Sequence, residues 1–216
     1  MDADVQYFVQ AAVESAKINS GSHNAGVVVL DAKTGHVVAM ANDTTFNPSA
    51  NLLRQSDFDM GNPSITSPFE PGSVNKIVTA TAAIHYNVAK PTEVFQVPGQ
   101  IQMDSVTVRD AWVHGVVPYT MTGIFGKSSN VGTLMIAQRV GKTRFAEMLR
   151  KFGLGHTTGI ELAGESAGVV PALRQWQGGS FANLPIGQGL SLTLLQMASM
   201  YQTIANDGLL SLIHIS

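Results

Sequence analysis

Apolar residues recur at two different spacings in the first third of the chain, and each spacing predicts a different element. Apolar positions three and four residues apart predict an amphipathic helix over about residues 4–17. Two apolar runs follow at 25–30 and 36–41, and the polar turn between them predicts a β-hairpin. Residues 42–68 are rich in Asn, Ser, Pro and Asp and show no sustained period, which indicates a long surface loop.

Helical spacing dominates the remainder of the chain. Four further helices are predicted, over about residues 73–86, 130–140, 144–152 and 193–205. Residues 88–127 show only short strand-like pieces, and 153–190 are a glycine-rich connector. A hairpin accompanied by several helices, without alternating β–α units, predicts an α+β fold.

The composition mainly excludes classes of function and of site. The 216 residues are 44% hydrophobic and 13% charged, with a formal net charge of −2, so the sequence lacks the excess of basic residues that is typical of nucleic-acid binding. The absence of cysteine excludes a disulfide framework, a thiolate metal site and a cysteine nucleophile. We expect no cofactor and no metal. The sequence contains no secretory signal and no apolar run of ~20 residues, so any membrane anchor is expected outside this chain.

Two stretches compete as the source of a nucleophile, and the first is GESAG, residues 164–168. It fits the G-x-S-x-G elbow that presents a serine in α/β-hydrolases, and Asp207 and His214 follow in the matching chain order. An elbow requires a helix after the second glycine. Here Pro171 follows closely, and a proline favours an extended exit. An esterase acting through Ser166 therefore stays open beside the interpretation of this stretch as a glycine-rich loop.

The second stretch is EPGSVNK, residues 70–76, in which Ser73 opens an apolar helix. Lys76 lies three residues further on, so both side chains share one helix face, roughly 5–6 Å apart at Cβ. The serine sits at the positive end of the helix dipole, and the lysine can act as its base if burial or a nearby cation lowers its pKa. The alternative is a capping serine beside a solvated lysine.

A further polar element strengthens the interpretation as a Ser-Lys pair. Ser128, Ser129 and Asn130 stand between a glycine turn and a strongly apolar helix, where their side chains can be fixed. A hydroxyl and an amide at this place could relay a proton and hold a substrate amide.

Together these stretches resemble the transpeptidase domain of class B penicillin-binding proteins, particularly the actinobacterial septal type. S-x-x-K followed by a Ser-x-Asn element belongs to that family's signature. The segments GVVVLDAKTGHVVAMA, PFEPGSVNKIVTATAAI, VRDAWVHG, KSSNVGT and GIELAGESAG also have close counterparts there. The resemblance covers about residues 3–209. It predicts a partial transpeptidase domain over 1–209 and a tail at 210–216 that lies outside the family.

The resemblance implies a fold and an activity. The fold is the penicillin-binding and serine β-lactamase-like type, in which a helical cluster packs against an antiparallel sheet. The activity is a peptidoglycan D,D-transpeptidase that cross-links stem peptides through a serine acyl-enzyme and is acylated by β-lactams. The implied partners are stem peptides ending in D-Ala-D-Ala, β-lactams and septal cell-wall synthesis proteins, at the extracytoplasmic face of the bacterial membrane.

The resemblance also implies roles for single residues. Ser73 is the acylated nucleophile, and Lys76 is its general base. Ser128 is a proton relay, and Asn130 is a substrate-positioning amide. Ser166 has no catalytic role in this interpretation, because the family carries a similar loop that is not catalytic.

The third element of the family, K-T-G, is absent where the resemblance requires it. The only copy is Lys33-Thr34-Gly35, upstream of Ser73 and in the predicted hairpin turn. We therefore expect the C-terminal sheet strands of the family to be missing from this chain, and the chain as it stands to be acylated slowly. A catalytically inactive, penicillin-binding-like scaffold module stays open as a further alternative.

Overall fold

The three-dimensional structure is a computed structural model, and it describes residues 1–43, 45, 61–177 and 179–210. The chain divides into two compact units. The first unit comprises Met1–Phe69, Gly153–Gly168 and Leu192–Ser216, and the second comprises Glu70–Phe152 and Val169–Ser191.

Helices and short strands alternate irregularly along the described residues. In chain order they are α1 (Ala3–Ser20), β1 (Gly26–Leu30), β2 (Val37–Asn42), α2 (Pro63–Thr66), α3 (Lys76–His85), β3 (Val94–Val97), β4 (Gln100–Met103), β5 (Val106–Arg109), β6 (Val117–Thr120), α4 (Met121–Gly126), α5 (Asn130–Val140), α6 (Lys142–Lys151), α7 (Ser180–Asn183) and α8 (Leu194–Ala205). Short 3-10 turns occur at Gly72–Asn75, Leu173–Gln175 and Leu184–Ile186.

The first unit is an antiparallel hairpin covered by helices. β1 pairs with β2, with Gly26 opposite Asn42, and alternate residues of β2 are buried, as in a sheet with one covered face. α1 packs against β2, and α8 packs against β1. The core beside the hairpin is formed by Val37, Ile65, Ile160 and Leu195.

Capping residues set the ends of the two long helices in this unit. Asp2 accepts hydrogen bonds from the backbone N–H groups of Asp4 and Val5 at the start of α1, and Gly21 ends that helix with a φ of 64°. α8 begins at a capping box, in which the side chains of Thr193 and Gln196 each accept from the other's backbone N–H.

The second unit has a helical core accompanied by two short strand pairs. α3 packs against both α5 and α6. These helices bury Val78, Ala82, Ile136 and Phe145 completely. β3 pairs with β6, and β4 pairs with β5, both antiparallel. α4 leads from β6 to the turn that precedes α5, and this turn carries part of the candidate site.

The structure confirms the predicted α+β class, because helices and antiparallel strand pairs occur together. The hairpin and the longer helices α1, α3, α5, α6 and α8 lie within a few residues of their predicted positions. The sequence analysis missed α2 and α4 and did not define the strands β3 to β6, because elements of four to six residues span too few repeats to show a period. Most of the loop predicted at 42–68 lies outside the described residues.

Within the described part of the chain, no helix is both long and apolar enough to cross a membrane.

Candidate active site

Ser73 and Lys76 lie at the start of α3, but the first turn is tighter than the sequence analysis predicted. Gly72–Asn75 form a 3-10 turn, and α3 begins at Lys76, whose backbone N–H donates to Ser73 O. Ser73 is exposed, whereas Lys76 is only 4% exposed. Within the described residues, no hydrogen bond joins the Ser73 hydroxyl to Lys76 Nζ, which bonds to other groups.

The buried lysine connects α3 to the turn before α5. Lys76 Nζ donates to Ser128 O at 2.5 Å, to Ser128 Oγ at 3.0 Å and to Asn130 Oδ1 at 2.7 Å. The structure therefore brings three of the four predicted site residues together at one ammonium group. The fourth, Ser73, stands one turn earlier on the same helix start, where it is exposed.

An unusual backbone conformation at Ser128 shapes the turn that receives the lysine. Ser128 has a left-handed φ of 54°, which is uncommon for a residue other than glycine. Such a conformation costs roughly 1–3 kcal/mol and persists where surrounding contacts fix it. Ser129 then caps α5 by accepting from the N–H of Gly132 at 2.9 Å, and Asn130 Nδ2 donates to Arg109 O at 3.0 Å.

A buried carboxylate that the sequence analysis did not assign, Asp110, holds this turn in place. Its side chain is fully buried and accepts hydrogen bonds from Ser129 Oγ at 2.7 Å and from Val131 N–H at 3.0 Å. The dipole of α5 favours a negative charge at this end of the helix. In the sequence, only the family resemblance marks the segment VRDAWVHG. The spacing of its residues does not predict a contact with the Ser129 region.

Burial changes the acid–base behaviour of Lys76. It lowers the pKa of Lys76 from 10.5 to about 8, and the negative charge of Asp110 opposes that shift. Part of the lysine is therefore neutral at mildly alkaline pH and can accept a proton. Burial disfavours the charged form of Lys76 in the folded state and so lowers the free energy of unfolding. This destabilisation is at its full size below pH 8. That cost is lost as the pH rises from about 8 toward 10.5, where the lysine is neutral in both states.

Close backbone contacts fix the turn that carries Ser73. The N–H of Gly72 donates to Gly187 O at 3.0 Å, and the N–H of Gly189 donates to the Glu70 carboxylate at 2.9 Å. A Cβ placed on Gly187 would lie 1.9 Å from Gly72 O. Only glycine at 187 permits this approach, so the position of Ser73 depends on it.

Gly187→Ala is expected to destabilise the second unit more than Gly72→Ala does. Both glycines have a positive φ, 83° and 55°, so an alanine at either place carries a backbone strain of about 1–2 kcal/mol. A Cβ at Gly72 meets nothing within 4 Å, whereas the alanine at 187 also collides with the Gly72 backbone. Overpacking of this kind adds about 1–3 kcal/mol. Denaturant unfolding of the chain measures the difference, and equal losses from the two variants would contradict the close approach.

The alternative nucleophile, Ser166, does not lie on a strand-to-helix elbow. Residues 161–168 form neither strand nor helix, and Ser166 Oγ accepts from Gly168 N–H at 3.1 Å in a local turn. Asp207 is exposed and pairs with Lys33 at 3.4 Å. His214 lies outside the described residues. Lys33 itself lies in the turn between β1 and β2.

The polar groups at the start of α3 and in the turn before α5 are suited to proton transfer at a serine hydroxyl. An exposed hydroxyl stands at a helix start, a shielded amine with a lowered pKa lies one turn further on, and a second hydroxyl contacts that amine. Among the described residues, no group of three or more His, Asp or Glu side chains could hold a metal ion.

Comparison with known families identifies the class of protein in which this arrangement occurs. The penicillin binding protein transpeptidase domain matches residues 25–216. The chain belongs to this family, which confirms the resemblance found in its motifs.

Individual relatives agree with this assignment. The chain is similar to penicillin-binding protein PbpB of Mycolicibacterium smegmatis, with 67% identity over 208 residues that cover 96% of this chain and 32% of that protein. It is 31% identical over 210 residues to peptidoglycan D,D-transpeptidase FtsI of Escherichia coli, which covers 97% of this chain and 35% of that protein. The chain thus spans about a third of the length of these curated relatives.

The fold agrees equally well with solved structures. Penicillin binding protein 3 from Mycobacterium tuberculosis, complexed with ampicillin, is similar with a TM-score of 0.97 and 64% sequence identity. The similarity covers 99% of this chain and 47% of that chain. A peptidoglycan synthetase from Bifidobacterium adolescentis is similar with a TM-score of 0.88 at 27% identity, over 96% of this chain and 37% of that chain.

Proposed function

We propose that this chain provides the nucleophile, base and proton relay of a peptidoglycan D,D-transpeptidase that is acylated by β-lactams. The observation that carries the proposal is the contact of Lys76 Nζ with Ser128 Oγ and Asn130 Oδ1, one turn after an exposed serine. The relatives add support, because FtsI of Escherichia coli is a peptidoglycan D,D-transpeptidase and the Mycobacterium tuberculosis structure holds ampicillin.

Acylation is the first half of the proposed reaction. Ser73 Oγ attacks the carbonyl carbon of the penultimate D-Ala of a stem peptide, and neutral Lys76 accepts the hydroxyl proton. The bond from that carbon to the nitrogen of the terminal D-Ala breaks, and the leaving amine takes a proton through the Ser128 hydroxyl. The product is an ester between the stem peptide and Ser73. The exposed position of Ser73 suits a large peptide substrate.

The developing negative charge on the carbonyl oxygen requires hydrogen-bond donors. The backbone N–H of Ser73 is the proposed donor from this chain, because it lies at the positive end of the turn that leads into α3. Asn130 Oδ1 accepts from Lys76, so this amide holds the base while its position beside Ser128 brings it near a substrate amide.

Deacylation completes the reaction. An amine from a neighbouring peptidoglycan strand attacks the ester carbonyl, the new amide forms the cross-link, and Ser73 regains its proton. A β-lactam enters through the same acylation step, but its leaving nitrogen stays tethered to the acyl group. The adduct on Ser73 therefore persists. In the whole protein, this chemistry is placed at the extracytoplasmic face of the bacterial membrane, with septal cell-wall synthesis proteins as partners.

Covalent labelling by a fluorescent penicillin tests this proposal. The protein to be labelled is a chimera in which residues 1–209 of this chain replace the corresponding segment of the Mycolicibacterium smegmatis relative. We expect a covalent adduct whose rate of formation rises with pH through a midpoint near 8, because only neutral Lys76 accepts the serine proton. No adduct at any pH would favour the inactive scaffold module, and a flat profile between about pH 6 and 9 would remove Lys76 as the base.

A further inference from the structure

The buried carboxylate of Asp110 has a third partner, His114, which no part of the proposed reaction uses. Asp110 Oδ2 accepts from His114 Nε2 at 3.0 Å, in addition to its bonds with Ser129 and Val131. The His114 side chain is itself only 8% exposed. A buried histidine therefore touches the group that fixes the turn beside Lys76.

Both ring nitrogens of His114 have a polar partner. Its Nδ1 lies 2.7 Å from Gly115 O, and its Nε2 faces a carboxylate oxygen of Asp110. Asp110 in turn has three partners on its two oxygens. His114 therefore supplies one of the contacts that hold this carboxylate in place.

The ring is held in this orientation by its surroundings. Trp112 stacks on His114 with ring centres 5.4 Å apart and an interplanar angle of 24°. Behind the ring, a Cβ placed on Gly99 would lie 2.2 Å from His114 O, so the two backbones pack directly. A cleft of about 560 Å³ lies beside Trp112 and His114 and gives solvent a route to the ring.

We propose that His114 is a positioning residue for the transpeptidase reaction: through Asp110 it fixes the Ser128–Asn130 turn and sets how strongly the Asp110 charge acts on Lys76. This inference rests on the proposed function for its catalytic meaning. The chain of contacts runs from His114 to Asp110, from Asp110 to Ser129 and the start of α5, and from the adjacent Ser128 and Asn130 to Lys76 Nζ.

The contact between His114 and Asp110 has a definite sign of effect on Lys76. The Asp110 charge stabilises the ammonium form of Lys76 and so works against its use as a base. A hydrogen bond from His114 Nε2 draws on that charge, and removal of this partner leaves the charge to act fully on Lys76. The other charged group on the neighbouring strands is Arg109 on β5, whose Nε donates to Gln100 Oε1. Arg109 is exposed, so solvent screens its effect on the pair.

Direct titration of Lys76 tests the inference without any need for activity. The 22.9 kDa chain is labelled with ¹³Cε-lysine, and Lys76→Arg identifies the Lys76 resonance. In His114→Phe, which keeps a ring for stacking on Trp112 but removes the contact with Asp110, the Lys76 midpoint is expected to rise. In Asp110→Asn it is expected to fall, because the opposing charge is gone.

Two further variants separate positioning from general destabilisation. His114→Gln keeps an N–H donor for Asp110, so the backbone amides of Ser129 and Val131 should keep their protection from hydrogen exchange and the Lys76 midpoint should stay close to its original value. His85→Phe is the matched control, because His85 also contacts an aromatic ring, edge to face, but lies at the far end of α3, about 14 Å from Lys76. This control should leave the Lys76 midpoint unchanged.

The pH profile of penicillin acylation in the chimera provides the second readout. Its midpoint should move up in His114→Phe and down in Asp110→Asn, in step with the resonance. A histidine that merely stabilised the fold would lower the melting temperature in both variants without opposite shifts, and that result would overturn the inference. Shifted Lys76 resonances in a protein that no penicillin acylates would uphold the coupling while refuting the proposed function.

Discussion

Ser73→Ala in the chimera is expected to abolish covalent labelling by penicillin. The acylation rate should fall on the order of 10⁶-fold, as the rate does when other serine enzymes lose their nucleophile. The physical reason is that alanine leaves Lys76 and Ser128 in place but removes the only oxygen that forms the ester. Because Ser73 is exposed and its hydroxyl is not bonded to Lys76, the substitution should leave the melting temperature nearly unchanged. Stopped-flow and gel fluorescence together measure the rate over this range.

Ser166→Ala is the matched control for that variant. It removes the same atom from the competing serine, whose hydroxyl accepts from Gly168 N–H in a local turn. The labelling rate should stay at the wild-type value. Label that survives Ser73→Ala and disappears in Ser166→Ala would reinstate the esterase interpretation.

Lys76→Met is the second change with a large expected effect. It keeps a flexible chain of similar length in the buried site but removes the proton acceptor, so acylation should slow by about 10²–10⁴-fold. The rise of the rate with pH through about 8 should vanish at the same time, because that midpoint belongs to Lys76. Single-turnover acylation measured across the pH range reports both effects.

Folding must be checked separately in Lys76→Met. Ser128 O and Asn130 Oδ1 lose their shared donor, but Ser128 is exposed and Asn130 is half-buried, so the cost is that of an ordinary hydrogen bond, about 0.5–1.5 kcal/mol. Removal of a buried charge offsets part of that cost. Lys90→Met is the matched control, because Lys90 is exposed and lies outside the site. A Lys76→Met protein that is folded, acylated at the wild-type rate and still titrates near pH 8 would refute the assignment of the base.

The part of the site that could be predicted from the sequence is the part carried by local motifs. Ser73 and Lys76 share one turn, and Ser128 and Asn130 share the entry to α5, so each pair is placed by its own few residues. Only the family resemblance predicts that these two pairs lie close to each other. In the structure it depends on the packing of α3 against α5, which apolar spacing on each helix favours but does not specify.

The part that could not be predicted depends on contacts between distant residues. Asp110 and His114 lie in a segment without helical or strand periodicity, and their partners Ser129 and Val131 belong to another element. The pairing of β3 with β6 spans more than twenty residues, and its four-residue strands show no distinctive pattern. The 3-10 turn before α3 also escaped prediction. Gly72 at its start packs against Gly187, and neither sequence segment has a feature that predicts this contact.

Peptide mapping of the trapped adduct tests the central claim most directly. The chimera is acylated with a penicillin at pH 8, digested, and the mass increment is located by tandem mass spectrometry. The expected result is a single modified peptide with the acyl group on Ser73, in the stretch EPGSVNK, and the same site modified by a synthetic stem peptide that releases D-Ala. An acyl group on Ser166 or Ser128, or an unmodified EPGSVNK peptide in a labelled protein, would contradict the account.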